Sequence, residues 1–358
     1  MKKRTPPASS RKVTQADIAR SLGVDQTTVS LALRGEAVVS EKTRKRVVEA
    51  AARMGYRRNA LGKAMRDGRF GAIALLESTD ADKSPLSQKF YGPIHDALAE
   101  RDMRLTIARL PDADLTQKGY MPKIMTELSA DGLVVNFVVH IPDGMIEAIK
   151  SHSLPSVWMN VDWPENCVRP DDEQGARVAT ERLLDLGHRD VAYLDYWHHM
   201  EWEPSLLHYS ALARSRGYAG AMRAAGARPR EIHWAFENDE AAAIAFTREV
   251  LEGPDRPSAM IAYGMREALP IVHVAAVLGL RIPDDLSLVV FEREPASILG
   301  VDVCTMLIPV AGMGRRAIEM LERLIARPER PLESVVLAYD IDAGGSCARP
   351  AGRAKRKR

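Results

Sequence analysis

The first 56 residues contain three short segments with apolar residues at helical spacing, each preceded by a residue that can cap a helix. The predicted helices are Gln15 to about Leu22 after Thr14, Gln26 to Arg34 after Asp25, and a third after Ser40 with the apolar stripe Val47, Val48, Ala51 and Met54. Asp17 stands three residues after Thr14, the spacing of a capping box. A glycine that can take the left-handed conformation ends each helix: Gly23, Gly35 and Gly55.

The first two of these helices have the spacing of a helix-turn-helix. Ala19 is small enough for a second helix to cross closely, and Gly23 permits a tight turn. Ile18, Leu22 and Val29 then supply the apolar contacts between the crossed helices. A generic pair of packed helices needs the same apolar contacts but not a small residue and a glycine at these positions.

From Phe70 onward the pattern changes to short apolar runs that alternate with amphipathic helical segments. The predicted strands are Ala72–Leu76, Leu105–Leu110, Gly132–Val138, Ser156–Val161, Asp190–Asp195, Ile232–Phe236, Ala259–Tyr263, Leu286–Phe291 and Val335–Ile341. The clearest helices between them are Gln88–Arg101, Gln174–Leu186 and Tyr209–Ala225. This alternation predicts an α/β fold with parallel sheets covered by helices, and its length suits two doubly wound subdomains. Ligands of such folds bind at the carboxyl ends of the strands, so we expect a site in the cleft between the lobes.

Charge is distributed unevenly along the 358 residues, although the net charge is only +2. Residues 1–70 hold 17 basic and 6 acidic side chains, whereas residues 71–348 hold 27 basic and 42 acidic ones. Six more basic residues follow from Arg349. A basic head on an acidic body is typical of a nucleic-acid binder with a second module, although a merely solvated basic face has the same composition.

Composition excludes several other classes. No apolar run is long enough for a membrane helix, and no apolar segment follows the basic N-terminus as in a secretory signal. The three cysteines, Cys167, Cys304 and Cys347, have no metal-type spacing and fit a reduced cytoplasmic setting. Two weaker motifs are not assigned a function. A metal site is not expected at His198-His199-x-Glu201. A nucleotide-binding loop is not expected at Gly312-Met313-Gly314. We therefore expect no catalytic constellation, no metal and no cofactor.

Several segments of the chain resemble the lactose/galactose repressor family. They are VTQADIARSLGV, TTVSLAL, VSEKTRKRVVEAAARMGY and RNAL in the head, and PDDEQGARVATERLLDLGHRDVAYL, HYSALARSRGYAGAMRAAG and MGRRAIEMLERLI beyond it. The resemblance implies a three-helix lambda-repressor-like head and a periplasmic-binding-protein-like type I sensor. The predicted organisation is a disordered basic arm at 1–12, the head at 13–56, a hinge at 57–69, an effector-binding and dimerisation domain at 70–343, and a disordered basic tail at 344–358.

The resemblance also assigns roles to residues of the head. In that family the second helix lies in the major groove, which places Gln26 and Thr27 at base-reading positions and Thr28 and Ser30 near phosphate or bases. Glutamine can contact adenine through two hydrogen bonds, and threonine offers a hydroxyl or a methyl group. The remaining residues assigned to DNA are Thr14, Leu31, Arg34, Ser40, Thr43, Asn59, Lys63 and Met65.

Two departures from the family pattern bear on DNA recognition. Leu31 stands where the family usually has arginine, so the base preference there should differ, because leucine donates no hydrogen bond. In the segment from Asn59 to about Asp67, which resembles the family's hinge helix, Met65 takes the position of a minor-groove leucine wedge. Gly62 weakens that helix by roughly 0.5–1 kcal/mol. A plain linker is the alternative interpretation of this segment.

The resemblance places the effector site in the sensor domain. Arg214 matches an arginine that binds the effector in many members, and Glu292 falls where the family has an aspartate that accepts ligand hydroxyls. A structural salt bridge is the alternative for Arg214. The other residues assigned to the effector are Leu86, Asp171, Tyr196, Trp234 and Tyr263. Because the pocket departs strongly from the family, with Tyr263-Gly264 where members often carry Asn-Asp, the usual monosaccharide assignment does not transfer directly.

These observations predict an effector-controlled transcriptional regulator, expected to be a repressor, and not an enzyme. It is expected to bind a pseudo-palindromic operator as a cytoplasmic, nucleoid-associated homodimer and to take a sugar or sugar derivative as effector. A transport solute-binding protein lacks the head and would require a signal peptide. An enzyme on the same core fold remains possible on fold alone, and turnover of a bound ligand would reveal it.

Overall fold

The computed structural model describes residues 12–57, 64, 68–79, 88–110, 124, 129–139, 141–196, 207–233 and 239–350. The chain divides into two compact units, residues 1–70 and 71–358, and each is described by itself. Within the described residues, no helix is both long and apolar enough to cross a membrane.

The first unit contains the three predicted helices, α1 (Gln15–Leu22), α2 (Gln26–Arg34) and α3 (Glu41–Arg53). The capping box forms as expected, since Asp17 N donates to Thr14 Oγ1 and Thr14 N donates to Asp17 Oδ2 at 2.9 Å. Gly23 and Gly35 take the left-handed conformation, with φ of +64° and +81°. The elements of the head therefore follow from its local sequence.

The core of the head consists of small and branched apolar residues from all three helices and from the turn before α3: Ile18, Ala19, Val29, Ala32, Leu33, Val39, Val47, Ala50 and Ala51. Val48, predicted as part of the apolar stripe of α3, is instead 50% exposed. It follows Val47 directly, and a helix turns by about 100° per residue, so the two side chains cannot share one face. The stripe of α3 therefore runs through Val47, Ala50 and Ala51.

The second unit has two parallel sheets, which we call lobe one and lobe two. Lobe one has the strand order β12-β5-β4-β3-β1-β2. Its strands are β1 (Ala72–Ser78), β2 (Arg104–Leu110), β3 (Gly132–Asn136), β4 (Ser156–Met159), β5 (Cys167–Pro170) and β12 (Val335–Leu337). Its described helices are α4 (Gln88–Ala99), α5 (Asp143–Ser151) and α10 (Val310–Ala326). Strands β1 and β3 are buried along their whole length, as expected for central strands covered on both faces.

Lobe two has the order β10-β11-β9-β8-β6-β7, and β13 pairs with β11 outside this path. Its strands are β6 (Val191–Asp195), β7 (Arg230–His233), β8 (Ala259–Ala262), β9 (Ser287–Glu292), β10 (Ala296–Ile298), β11 (Val301–Leu307) and β13 (Asp340–Asp342). Its described helices are α6 (Asp172–Asp185), α7 (Tyr209–Ala224), α8 (Glu240–Glu252) and α9 (Met265–Val277). Parallel pairing joins β7, β6, β8, β9 and β11, and β10 and β13 are antiparallel to β11.

The described chain passes between the lobes at three places: from β5 to α6, from β11 to α10, and from β12 to β13. The predicted single strand Val335–Ile341 is wrong for this reason. Val335–Leu337 pairs with β5 in lobe one, whereas Asp340–Asp342 pairs with β11 in lobe two. Strands β5, β10 and β11 were not predicted, because their apolar runs are short or interrupted by polar residues.

The predicted disorder of residues 344–358 is wrong for residues 344–350, which we call the strap. Ser346 Oγ accepts from Cys304 N at 2.7 Å, and Leu288 N donates to the carbonyl of Ser346 at 2.9 Å. Ala348 O accepts from His188 Nε2 at 2.9 Å. Small residues in the strap allow it to lie across the ends of β9 and β11, so its glycine-rich composition reflects close packing. Residues 351–358 lie outside the described residues.

Candidate nucleic-acid interface and effector cleft

Helix α2 presents a polar surface whose orientation is fixed by its apolar side. Val29 and Ala32 are buried in the core of the head. Of the residues predicted to contact DNA on this helix, Gln26, Thr27 and Arg34 are exposed, and Thr28, Ser30 and Leu31 are half-buried. The Asp25 carboxylate accepts from Thr27 N at 2.6 Å, and this bond, followed by one from the Thr27 hydroxyl, lowers the pKa of Asp25. Gln26, the first residue of α2, is exposed beside this cap.

The residues predicted to contact the DNA backbone also cap helices. The Thr14 hydroxyl donates to Asp17 Oδ2 at 2.7 Å, and the hydroxyls of Ser40 and Thr43 are 2.9 Å apart. Helix N-termini favour anions because their unsatisfied N–H groups carry partial positive charge. Hydroxyls held at these positions suit phosphate. Asn59, Lys63 and Met65 lie outside the described residues.

In the sensor domain, Arg214 is only 5% exposed and belongs to a buried ion pair. Its Nε donates to Asp172 Oδ1 at 2.7 Å, its Nη1 donates to the carbonyl of Tyr263 at 2.8 Å, and its Nη2 donates to Tyr339 Oη at 3.0 Å. Tyr339 in turn donates to Asp172 Oδ1 at 2.6 Å. These bonds use three of the five N–H donors of the guanidinium group.

Aromatic rings enclose the same guanidinium group. Its central carbon lies 4.1 Å from the ring centroid of Phe291 and 4.6 Å from that of Tyr263. Close packing of α6 against α7 brings Arg214 to this place, since a Cβ on Gly217 would come 2.0 Å from the carbonyl oxygen of Glu173. Arg214 is thus positioned by backbone approach, ionic pairing and cation–π contact together.

A hydrogen-bond network around His208 links the two lobes beside this ion pair. His208 Nε2 is 2.9 Å from the carbonyl oxygen of Asn160 in lobe one, and its Nδ1 is 2.6 Å from Ser210 Oγ. Burial lowers the pKa of His208 to about 4, so its ring is neutral near pH 7. Nε2–H therefore donates to Asn160, Nδ1 accepts from Ser210, and Tyr263 donates its hydroxyl to Ser210 Oγ at 2.6 Å.

Two predicted carboxylates serve as helix caps at the strand ends. Asp171 Oδ1 accepts from Gln174 N at 3.1 Å at the start of α6. Glu292 Oε1 accepts from Met265 N at 3.4 Å at the start of α9, and its other oxygen accepts from Arg293 N at 3.2 Å. Both residues lie at the carboxyl ends of strands, where the cleft is expected.

Tyr196, at the carboxyl end of β6, is buried in lobe two. Its side chain is 3% exposed, and its hydroxyl is 3.2 Å from Thr247 Oγ1 on α8. The ring of Tyr196 belongs to the apolar core of lobe two under α8. Leu86 and Trp234 lie outside the described residues.

The sequence did not predict the partners of Arg214 or the hydrogen-bond network around His208. Asp172 and Tyr339 are 42 and 125 residues from Arg214 in the chain, and neither was assigned to the site from the sequence. His208 and Ser210 carry no motif of their own. Their position at the start of the predicted helix Tyr209–Ala225 was the available signal, because a helix start at the cleft brings polar side chains to a strand end.

A buried acidic pair lies in lobe two near the same strand ends. Asp195 ends β6 and Glu267 lies in the first turn of α9, and both are fully buried. Glu267 Oε1 accepts from Tyr196 N at 3.2 Å. Burial, reinforced by the charge of Asp195, raises the pKa of Glu267 to about 8. Glu267 is therefore protonated near neutral pH. Among the described residues, no three His, Cys, Asp or Glu side chains are placed to hold a metal ion.

Comparisons with known proteins match both units. Residues 14–59 match the model of bacterial regulatory proteins of the lacI family, and residues 180–347 match the periplasmic binding protein-like domain. The chain carries a lacI-family helix-turn-helix domain followed by a periplasmic-binding-protein-like domain, and its relatives are LacI-family regulators. It is a DNA-binding transcriptional regulator with a periplasmic-binding-protein-like sensor domain.

Individual LacI-family members agree with this assignment. The HTH-type transcriptional regulator DegA of Bacillus subtilis (strain 168) is 27% identical over 322 residues, covering 85% of this chain and 88% of its own. The lac repressor dimer bound to operator and the anti-inducer ONPF superposes with a TM-score of 0.74 at 19% identity, covering 94% of this chain and all of that one. The CelR–cellobiose complex gives a TM-score of 0.60 at 22% identity, with the same coverage. The relatives are regulators and not enzymes, as expected.

Replacing Glu267 by glutamine should make the sensor domain less sensitive to pH. Between pH 4.5 and about 8, folded Glu267 keeps a proton that the unfolded chain releases. The free energy of unfolding therefore falls as the pH rises through this window, and the loss is complete above it. Glu267→Gln retains an acceptor for Tyr196 N–H and removes the titration. Thermal melts from pH 5 to 9 should show a flatter profile and a Tm several degrees above wild type at pH 9.

Glu249→Gln is the matched control, because Glu249 lies exposed on α8. This variant should follow the wild-type profile. Parallel profiles for Glu267→Gln and wild type would contradict the assignment of a raised pKa to Glu267.

Proposed function

We propose that this LacI-family regulator represses transcription by binding a pseudo-palindromic operator as a homodimer, under the control of a small polar effector held between the lobes. The observation that carries the proposal is the pairing of a capped helix-turn-helix, with Gln26 exposed at the start of α2, with a two-lobed sensor. Such a regulator acts on chromosomal DNA, which implies a cytoplasmic, nucleoid-associated location.

Direct base reading is proposed for Gln26 and Thr27, with Thr28, Ser30, Leu31 and Arg34 on the flanks of the same helix. A glutamine amide can make two hydrogen bonds to adenine in the major groove, and the hydroxyl of Thr27 is shared with the Asp25 cap. Leu31 offers only apolar contact, for example to a thymine methyl group. Thr14, Ser40 and Thr43 are proposed to contact phosphates and set the register. Asn59, Lys63 and Met65 remain a proposed hinge contact with the minor groove.

The effector is proposed to be a polyhydroxylated or anionic small molecule, such as a sugar or sugar derivative. Arg293 lies 6.0 Å from the ring centroid of Phe90 across the lobes, and Arg169 lies 5.4 Å from that of Tyr209. With Glu292 and Arg214, these residues provide fork-shaped donors and a carboxylate beside aromatic faces, which suits hydroxyls and carboxylates. CelR was solved with cellobiose, which supports this ligand class by likeness of fold. Because Arg214 is held by Asp172, an effector that binds it must use its two remaining N–H donors or rearrange the pair.

A second copy of this chain is proposed to cover an apolar groove on lobe two. The groove has a volume of about 470 Å³ and lies between α8, α9 and the turn from β10 to β11. Leu269 on α9 is 47% exposed, and Leu299 in that turn is 71% exposed. Exposed leucines around an apolar groove are typical of a protein interface. The lac repressor, which has the same fold, was solved as a dimer.

Selection from random DNA with the full-length protein tests the function. We expect inverted half-sites, because two-fold symmetry of a dimer is mirrored in its operator. On the selected site, Gln26→Ala should lose roughly 1–3 kcal/mol of binding free energy, whereas binding to scrambled DNA should stay unchanged. Fluorescence anisotropy at one fixed salt concentration measures both. Gln15→Ala, a glutamine on α1, should not reduce specificity.

Absence of an enriched motif, or enrichment of asymmetric sites only, would argue against this function. A thermal-shift screen of sugars, sugar acids and phosphorylated sugars then identifies ligands, because binding to the folded state raises the Tm. A ligand that also changes operator affinity supports effector control. A ligand that raises the Tm and leaves operator affinity unchanged contradicts it.

Replacing Leu269 by glutamate should separate the proposed dimer. A charge buried without a partner at the interface costs several kcal/mol, enough to shift a micromolar sample to monomer. Sedimentation velocity measures the change. Val336→Glu on β12 is the control, since Val336 is 43% exposed in lobe one, away from the groove. A dimer that persists in Leu269→Glu, or a monomeric wild type, would refute the interface.

A further inference from the structure

Two cysteines that are 43 positions apart in sequence lie in the same part of lobe two. We call this part, where the strap crosses β9 and β11, the base of lobe two. Cys304 lies on β11 and is fully buried, whereas Cys347 lies in the strap and is half-buried. The side chain of the adjacent Ser346 fixes the strap here, since its Oγ accepts from Cys304 N at 2.7 Å and donates to the carbonyl of Leu288 at 2.5 Å. Cys347 Sγ lies 3.4 Å from the same carbonyl oxygen. These contacts hold the strap beside β9 and β11, with Cys347 packed against the cluster that contains Cys304.

The two cysteines lie in one cluster and have different acidities. Cys347 packs against the buried cluster of lobe two that contains Cys304. Interaction with the Cys347 side chain, helped by the charge of Arg182, lowers the pKa of Cys304 to about 7. Interaction with Cys304, together with burial, raises the pKa of Cys347. Thiolate is the reactive form of cysteine, so the thiol with the lowered pKa is the one expected to react first.

The third cysteine provides a contrast within the same chain. Cys167 is fully buried in lobe one, where its thiol donates to the carbonyl of Val161 at 3.1 Å. Burial raises its pKa to about 11. Cys167 is therefore expected to be inert under conditions in which the pair on lobe two reacts.

We propose that Cys304 and Cys347 form a reversible disulfide, which makes the base of lobe two a redox modification site. Hydrogen peroxide is the oxidant. The thiolate sulfur of the pair attacks the O–O bond, which breaks to give a sulfenic acid and hydroxide. The other thiol attacks the sulfenic sulfur, the S–S bond forms, and water leaves. Two electrons pass from the sulfurs to the peroxide, and a dithiol reductant reverses the reaction.

The cross-link would fasten the strap to the sheet of lobe two. The strap already contacts β9, where Ala348 N donates to Ser287 Oγ at 3.1 Å, and His188, whose Nε2 is 2.9 Å from Ala348 O. A covalent bond between Cys304 and Cys347 closes a long loop in the unfolded chain and so lowers its entropy. Oxidation is therefore expected to raise the Tm of the protein by several degrees, with recovery on reduction.

Thiol counting on the full-length protein tests the proposal. The reduced protein, desalted and treated with stoichiometric hydrogen peroxide at pH 7.5, should fall from three free thiols to one when assayed in denaturant with Ellman's reagent. Intact mass should fall by two hydrogen atoms, and a non-reducing peptide map should join the Cys304 and Cys347 peptides. Dithiothreitol should restore all three thiols and the original Tm.

Three variants show which cysteines form the disulfide. Cys167→Ser should behave as wild type and lose two thiols, whereas Cys347→Ser and Cys304→Ser should form no intramolecular disulfide and show no peroxide-dependent rise in Tm. The half-exposed position of Cys347 makes its serine variant the safer one for folding. A wild type that keeps three thiols overturns the proposal. Disulfides that involve Cys167 or join two chains also overturn it. The same holds if oxidation raises the Tm of Cys347→Ser as much as that of wild type.

Discussion

The buried ion pair between Arg214 and Asp172 is the interaction on which the sensor domain depends. A guanidinium and a carboxylate can be removed from water only when each is paired and hydrogen-bonded. Here Tyr339 and the carbonyl of Tyr263 accept two further N–H bonds of the guanidinium group, and Tyr339 donates to Asp172. Because a misplaced partner leaves a buried charge uncompensated, the pair tolerates little displacement of the elements that carry it.

Those elements are the passages between the lobes. Asp172 begins α6 directly after the chain leaves β5 of lobe one, and Tyr339 lies between β12 of lobe one and β13 of lobe two. Arg214 on α7 therefore joins two of the three passages at one point. The hydrogen-bond network around His208, which runs from Tyr263 through Ser210 to Asn160, adds a further link between lobe two and lobe one. Any change in the angle between the lobes must alter one of these bonded sets. An effector can shift the lobes only by offering better partners in one arrangement than in the other.

Much of the fold followed from local sequence. The capping box at Thr14, the glycine stops and the alternation of apolar runs predicted the head and most strands, because caps and periodicity are set by neighbouring residues. The strap, the division of Val335–Ile341 between two sheets and the burial of Tyr196 depend on partners distant in sequence. For the candidate site, Arg214 was recognised from a motif, but its pairing was not, since Asp172 and Tyr339 are 42 and 125 residues away. A motif identifies a residue type at a position, and only packing determines what it contacts.

A double-mutant cycle on Arg214 and Asp172 tests the central claim most directly. Arg214→Met, Asp172→Asn and the double variant are compared with wild type by urea unfolding of the full-length protein. If the pair holds the sensor together, Arg214→Met should cost roughly 3–5 kcal/mol, because it leaves the carboxylate buried without its cation. The double variant should cost clearly less than the sum of the two single changes. Small and additive effects would contradict the account, since they would mean that the two charges are tolerated independently of each other.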